Sequence, residues 1–144
     1  MQVKDIMTKD VITVNSDDTV LHVAKLMTNY NIGCIPVVES GNKVLGVITD
    51  RDIVIAMAKY NRDPENTLAV NIMTSGVYSV KPDADLSQAL DLMKKQQIRR
   101  LPVIEGESLL GMLSLGDVAV YASHADEEIS DALTEISLPT RGNI

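Results

Sequence analysis

The 144 residues carry 13 basic and 20 acidic side chains, a net charge of −7, and such a chain is repelled by a nucleic-acid backbone unless its basic residues cluster. Apolar residues make up 45% of the chain, with no Phe and no Trp, which excludes a disordered chain and predicts an aliphatic core. The single cysteine excludes an internal disulfide; with a charged N-terminus and no run of ~18 apolar residues, we expect a cytoplasmic protein without a membrane partner.

The first 62 residues are predicted to form a helical turn followed by a β-α-β-β-α unit. Short β-branched runs predict the strands, and apolar residues spaced i, i+3, i+4 and i+7 predict the helices. In order, the elements are a helical turn at 3–7, a strand at 11–14, a helix that starts after 15–17 and is stopped by Gly33, strands at 35–38 and 43–48 joined by a turn at 40–42, and a helix from 50 to about 60. The predicted buried helix faces are Val20, Val23, Ala24 and Met27, and then Ile53, Ala56, Met57 and Tyr60.

The same pattern occurs a second time. A shift of 66 residues aligns Ile6-Met7-Thr8 with Ile72-Met73-Thr74. After the hairpin turn the shift becomes 65, and it aligns Thr49 with Ser114 and Asp52 with Asp117. One offset kept over several elements, with a single slip in a turn, indicates a tandem duplication. We therefore predict a first repeat at 1–62, a linker at 63–68, a second repeat at 69–124, and an acidic C-terminal helix and tail at 125–144.

Each copy ends in a hydroxyl residue three positions before an aspartate, as Thr49-x-x-Asp52 and Ser114-x-x-Asp117. One interpretation is a capping box at the start of a helix. The other is a ligand site, because a helix N-terminus attracts anions and a carboxylate can accept hydrogen bonds from both hydroxyls of a ribose. Repetition at a strand-to-helix junction favours the second interpretation, and both stay open here.

Two arginines, Arg99 and Arg100, enter a buried strand of the second copy. They are either ordinary solvated or salt-bridged side chains or a phosphate site, for which the guanidinium fork is suited. The first copy has Gly33-Cys34 at these positions, and it carries Arg51 where the second copy has Gly116. The two sites need not be equivalent.

No other side chains predict chemistry. Cys34 has no histidine nearby in sequence, so we predict a small buried thiol and not a nucleophile. His22 and His124 lack metal-ligand spacing to another His, Cys or acidic residue. No nucleophile, base and oxyanion donor can be assembled, so we predict neither a catalytic residue nor a metal site, and we expect no enzyme.

Over residues 6–60 and 72–122 the chain resembles the CBS domain, named after cystathionine β-synthase. The resemblance depends on the two Ile-Met-Thr openings, on Ile35-Pro36-Val37-Val38 and Leu101-Pro102-Val103-Ile104, and on the two Gly-x-x-(Thr/Ser)-x-x-Asp endings. Two such domains in tandem form a Bateman module. The resemblance implies a mixed fold of the α/β (α+β) class that consists of two β-α-β-β-α repeats. It further implies three-stranded sheets packed on each other, helices outside, pseudo-two-fold symmetry and a stand-alone module that forms a flat homodimer.

The resemblance also implies a ligand and the residues that bind it. In this family the clefts typically hold AMP, ADP, ATP or S-adenosylmethionine, the closing hydroxyl and aspartate contact phosphate and ribose, and the first strand lines the base. The expected ligand-binding residues are Thr13, Val14, Ile35, Pro36, Thr49, Arg51 and Asp52 in the first copy and Ser79, Val80, Arg99, Arg100, Leu101, Pro102, Ser114 and Asp117 in the second. Whether Mg²⁺ accompanies the phosphates stays open.

We therefore expect a regulatory sensor of adenosine compounds that binds best at the second copy, where the two arginines lie. The alternative is a dimeric scaffold that binds a client protein through the acidic C-terminal helix, without nucleotide. Nucleic-acid binding is disfavoured by the charge, and its support is the local basic patch Lys94, Lys95, Arg99 and Arg100.

Overall fold

A computed structural model describes residues 1–121 and 134–136. The chain forms two compact units. We call Val11–Val77 the first unit, because it holds the first copy of the repeat, and Met1–Asp10 with the described residues from Tyr78 onward the second unit. The elements are β1 (Val14–Asn15), α1 (Val20–Tyr30), β2 (Cys34–Glu39), β3 (Lys43–Thr49), α2 (Asp50–Ala58), α3 (Ala69–Ile72), α4 (Leu86–Gln96), β4 (Arg100–Glu105), β5 (Ser108–Ser114) and α5 (Leu115–Tyr121). A 3₁₀ turn spans Val3–Asp5. The predicted α+β class is confirmed.

In the first unit, β1 runs parallel to β2 and β2 runs antiparallel to β3. The β2–β3 hairpin turns at Ser40–Asn42, where Gly41 has a φ of 77°. Helix α1 is capped by Thr19, whose side chain accepts a hydrogen bond from the backbone of His22. The core of this unit consists of Val14, Val20, Val23, Met27, Ile35, Val37, Ile48, Ile53 and Ala69.

The second unit repeats this plan. Strand β4 runs antiparallel to β5, and the strand that corresponds to β1 is reduced to a parallel bridge between Val80 and Val103. Asp85 caps α4 and forms a capping box with Gln88. The core consists of Val3, Ile6, Leu86, Ala89, Leu90, Met93, Leu101, Val103, Leu113, Val118 and Ile136. Ile136 is 3% exposed, and beside it Glu135 lies 3.6 Å from the ammonium group of Lys94.

The compact units differ from the sequence repeats in the placement of the two Ile-Met-Thr segments, which we call the leaders. The first leader, Ile6-Met7-Thr8, belongs to the second unit, where Thr8 exchanges two backbone hydrogen bonds of 2.8 and 2.9 Å with Met112. The second leader belongs to the first unit, where Thr74 exchanges two bonds of 2.9 and 3.0 Å with Val47. Each leader thus precedes one copy in sequence and is built into the unit that holds the other copy.

Several sequence predictions were wrong in detail. Helix α1 ends at Tyr30 and not at Gly33, because Asn31 takes the left-handed conformation with a φ of 52°. The polar side chain of Asn tolerates that conformation, and Gln97 adopts it at the equivalent end of α4. The first strand is Val14–Asn15 rather than 11–14, because only these two residues pair with β2.

The predicted buried face of α2 was partly wrong as well. Ile53 and Ala56 are buried, but Met57 and Tyr60 are 46% and 62% exposed. The helix ends at Ala58, so Tyr60 no longer follows the helical period that predicted its burial. Most of the predicted C-terminal helix and tail lies outside the described residues, although residues 134–136 are helical. Within 1–121 and 134–136, no helix has the length and apolar character required to span a bilayer.

The close approach of the first leader to β5 requires a glycine at position 111. A methyl group there would lie 2.7 Å from the carbonyl oxygen of Thr8 and 2.8 Å from the sulfur of Met7. We expect Gly111→Ala to displace the leader and to lower the free energy of unfolding by about 1–3 kcal/mol, the usual cost of overpacking.

The matched control is Gly116→Ala, where the nearest atom to an added methyl group is the Ser114 hydroxyl at 3.5 Å. Because Gly116 lies within a helix, we expect this change to be neutral or to stabilise by up to about 1 kcal/mol. Urea unfolding monitored by circular dichroism measures both variants, and an equal effect of the two substitutions would contradict the packing argument.

The burial of Ile136 predicts that the C-terminal segment contributes to the stability of the second unit. Ile136→Ala should lower the free energy of unfolding by about 2–5 kcal/mol, as other large-to-small core changes do. Val70→Ala, at a side chain that is 44% exposed, should change it by about 0.5 kcal/mol or less. Chemical unfolding of the full chain tests both, and an Ile136 variant as stable as the wild type would show that this contact is dispensable.

Candidate functional site

The two hydroxyl–aspartate pairs lie where a strand passes directly into a helix. Thr49 ends β3 before α2, and Ser114 ends β5 before α5. The backbone of Thr49 donates to Asp52 Oδ2 at 2.9 Å, and the backbone of Asp52 donates to Thr49 Oγ1 at 3.1 Å. The corresponding distances for Ser114 and Asp117 are 2.8 and 3.0 Å. The capping-box interpretation is confirmed in both copies.

Each capping box occupies one oxygen of the aspartate and leaves the other for a further interaction. Both aspartates are half-buried. Asp117 Oδ1 lies 3.5 Å from the hydroxyl of Thr8, which is the donor. Within the described residues, the Asp52 side chain accepts no hydrogen bond besides the one from Thr49. A carboxylate oxygen with unused lone pairs can accept a hydrogen bond from a ligand hydroxyl, so capping and ligand binding are compatible.

The residues before each buried strand are paired with the capping hydroxyl. Arg100 lies directly opposite Ser114 in the β4–β5 ladder, and the carbonyl of Arg99 accepts a 2.8 Å hydrogen bond from the first amide of α5. Both arginine side chains are exposed. In the first unit Cys34 lies opposite Thr49, and Gly33 accepts the 3.0 Å bond from Asp50. The structure therefore brings two cations to the N-terminus of α5, and at these positions of the first unit it has none.

A row of backbone contacts connects the first-strand residues to the leader in the second unit. Val80 donates to the carbonyl of Pro102 at 3.1 Å. Pro102 lies opposite Met112, and Met112 bonds to Thr8. The first unit contains the equivalent Pro36–Val47 pair and the bridge from Val47 to Thr74.

The other residues predicted to bind the ligand fall into a buried group and an accessible group. Ile35, Leu101 and Val14 belong to the hydrophobic cores, and Pro36 and Pro102 are buried, so these residues support the junction from beneath. Thr13 and Val80 are half-buried, and Ser79 and Arg51 are exposed. These four side chains are accessible to a ligand, as are the exposed Arg99 and Arg100.

The fold, the duplication and the two junctions match a known family. The family model described as the CBS domain matches residues 3–59 and 69–124. The chain belongs to the CBS domain family. CBS domain-containing protein YhcV of Bacillus subtilis is 40% identical over 135 residues, which are 94% of this chain and 94% of YhcV. Hypoxic response protein 1 of Mycobacterium tuberculosis is 32% identical over 116 residues, 81% of each chain.

Among solved structures, the CBS domain pair of protein MJ0100 is similar to this chain with a TM-score of 0.76 and 28% sequence identity. The match covers 88% of this chain and 98% of that domain pair, which was crystallised in complex with 5′-methylthioadenosine and S-adenosyl-L-methionine. The predicted family and its tandem CBS arrangement are confirmed.

The contact of Thr8 with a junction aspartate was missed by the sequence reasoning. The repeated Ile-Met-Thr was recognised as a sign of duplication, but sequence order placed each threonine in its own copy. In the structure Thr8 reaches the junction of the second CBS repeat, where its hydroxyl faces Asp117. The repeated Ile-Met-Thr is visible in the sequence. That each leader joins the unit of the other copy is visible only in the tertiary structure.

Two open cavities lie at different places in the two units. A groove of about 250 Å³ in the first unit begins at Asp52 and follows α2. A wider cleft of about 590 Å³ in the second unit lies by Glu105 and Leu110, at the hairpin end of β4 and β5, whereas Ser114 ends β5 at the other end. Among the described residues, no three His, Cys, Asp or Glu side chains are grouped so that they could hold a metal ion.

Proposed function

We propose that the protein is a regulatory ligand-sensing module that binds adenosine compounds at the hydroxyl–aspartate junction of each CBS repeat. The observation that carries this proposal is the second carboxylate oxygen of Asp52 and of Asp117, which the capping box does not use. Additional support comes from MJ0100, a CBS domain pair crystallised with two adenosine compounds. The candidates are AMP, ADP, ATP and S-adenosylmethionine, with or without Mg²⁺.

In this proposal the aspartates accept hydrogen bonds from ribose hydroxyls, and the helix N-termini face the phosphate or another anionic group. Thr49 and Ser114 fix the aspartates, while Thr13 in the first repeat and Ser79-Val80 in the second line the base. Arg99 and Arg100 add two positive charges beside the Ser114 junction, and a guanidinium group binds phosphate through two parallel hydrogen bonds. The second repeat is therefore the stronger site, and Arg51 is the corresponding cation of the first repeat.

Regulation would follow from a ligand that binds one arrangement of the protein better than another and shifts the population toward it. A client-binding role for residues 125–144 has less support, because Glu135 and Ile136 pack on the second unit. Nucleic-acid binding also has less support. Lys94, one of the four residues of the basic patch, has Glu135 3.6 Å away.

We further propose that the module forms a homodimer through the outer faces of α2 and α5. Val54 and Met57 on α2 are exposed, as are Val120 and Tyr121 on α5. Exposed apolar groups on neighbouring turns of a helix favour association with another surface, and the family resemblance makes a second copy the expected partner.

Thermal unfolding in the presence of AMP, ADP, ATP and S-adenosylmethionine tests ligand binding. A compound supplied at 100 times its dissociation constant should stabilise the folded protein by about 2.7 kcal/mol. If none of the four compounds changes the Tm, the adenosine proposal is contradicted.

The aspartate variants test the site itself. Asp117→Ala should abolish most of the ligand-induced shift, and Asp52→Ala should reduce it less. The control is Asp85→Ala, which removes a capping side chain from α4 away from the junction. Loss of a cap costs about 1 kcal/mol in each variant, so the expected difference between Asp117→Ala and Asp85→Ala lies in ligand affinity, measured by calorimetric titration. Equal affinities would exclude Asp117 from the site.

Sedimentation equilibrium tests the dimer. The wild type should sediment as a dimer at micromolar concentration, and Val54→Glu or Val120→Glu should shift it toward monomer, because a carboxylate at an apolar interface is not solvated. Lys25→Glu, on the exposed side of α1, is the control for a change of charge. A monomeric wild type would refute this proposal.

A further inference from the structure

The groove along α2 in the first unit is a narrow extension of the Asp52 junction. It is lined by Asp52, Ile55, Ala56, Tyr60, Arg62, Asn71 and Ile72. With a rise of 1.5 Å per residue, the part of α2 from Asp52 to its end at Ala58 spans ~9 Å along the helix axis. Its volume of about 250 Å³ is smaller than the ~300–1,000 Å³ of pockets that enclose a whole ligand. The groove is therefore suited to one part of a larger molecule.

The two ends of the groove have opposite chemistry. At one end, Asp52 offers a carboxylate oxygen that the capping box does not use. At the other end, Arg62 is held beyond α2 by a 3.0 Å hydrogen bond from its backbone to the carbonyl of Ala56. Within residues 1–121 and 134–136, the guanidinium group of Arg62 has no ion-pair partner. An acceptor for hydroxyl groups thus lies a short distance from a cation that can bind an anion.

Two further side chains, Asn71 in the groove lining and Lys59 beside Tyr60, add a hydrogen-bond donor and a second cation. Asn71 uses its carbonyl oxygen to accept a 3.0 Å hydrogen bond from Leu68, which leaves its amide N–H groups as donors. The ammonium group of Lys59 lies 5.4 Å from the centre of the Tyr60 ring, so a second cation is near the same end. Ile55 and Ile72 provide apolar walls between the two ends.

The duplication provides an internal comparison for this chemistry. At the offset of 66, Asn71 corresponds to Asp5, and at the offset of 65, Arg62 corresponds to Glu127. By these offsets, the residues that correspond in sequence to Asn71 and Arg62 of the groove are both acidic. The amide and the arginine are therefore not common to both copies of the repeat.

We propose that the α2 groove receives the 5′ chain of an adenosine ligand whose ribose is bound at Asp52, and that Arg62 selects chains whose anionic group lies further from the ribose than the phosphate of AMP does. The terminal phosphates of ATP and the carboxylate of S-adenosylmethionine share this chemistry. AMP carries its phosphate next to the ribose and does not extend to Arg62. This inference rests on the proposed function and assigns a ligand preference to the first repeat.

The test uses the full-length Asp117→Ala protein, in which the second junction is disabled and the first remains. Titration calorimetry with ATP, S-adenosylmethionine, AMP and 5′-methylthioadenosine is performed with and without Arg62→Ala. We expect Arg62→Ala to weaken the binding of ATP by on the order of tenfold, the loss typical of a hydrogen bond to a charged group, and to leave AMP and the uncharged methylthioadenosine unchanged. ATP and S-adenosylmethionine, titrated separately, distinguish a phosphate from a carboxylate as the preferred group.

Lys25→Ala is the matched control, because it removes one positive charge from the exposed side of α1 in the same unit. It should leave all four affinities unchanged. Equal affinities of the Arg62 variant and its parent for ATP and for S-adenosylmethionine would overturn the inference. A uniform loss for all four compounds would also overturn it, since Arg62 would then act on the fold.

The failure of this inference is distinguishable from failure of the proposed function. If the wild type binds no adenosine compound, the proposed function fails and the inference fails with it. If the wild type and the Asp117→Ala protein bind adenosine compounds but Arg62→Ala has no selective effect, the proposed function stands and the role of Arg62 alone is refuted.

Discussion

The backbone bridge between each leader and a strand is the contact on which both units depend. Pro102 and Met112 form a non-hydrogen-bonded pair of the antiparallel β4–β5 ladder, so the N–H and C=O of Met112 point away from β4 and bond to Thr8. A proline is tolerated at position 102 because this position donates no N–H to β5. Gly111 then lets the leader approach, since any side chain would collide with the carbonyl of Thr8. The same arrangement of Pro36, Val47 and Thr74 occurs in the first unit.

The bridge places a leader beside a junction that caps a helix and that, in the proposed function, also binds the ligand. Asp117 satisfies the amide of Ser114 through one oxygen, and its other oxygen lies near Thr8. A ligand that bonds to the second oxygen therefore contacts a side chain whose position is already fixed by the fold. Such preorganisation reduces the conformational entropy lost on binding. It also explains why stability and affinity must be measured separately in any variant of these aspartates.

The two repeats have the same backbone features but differ in the charged side chains near their junctions. Both have the same capping boxes, the same left-handed helix ends and the same leader bridges. The second repeat adds Arg99 and Arg100 next to its junction, whereas the first has Arg62 at the far end of a groove that starts at its junction. Backbone geometry is restrained by packing in both copies, while exposed side chains can change at little cost in stability. The two repeats can therefore prefer different ligands.

The sequence by itself determined the duplication, the β-α-β-β-α order, the capping boxes and the family, because local periodicity and repeated motifs carry that information. It misplaced the end of α1 and the burial of Tyr60, which depend on one left-handed residue and on where a helix stops. Only the tertiary structure decided that each leader joins the unit of the other copy, that Ile136 completes the core of the second unit, and that Arg62 shares a groove with Asp52. These features join residues that are far apart in the chain or carry no periodic signal. They arise from the packing of distant segments and not from local propensity.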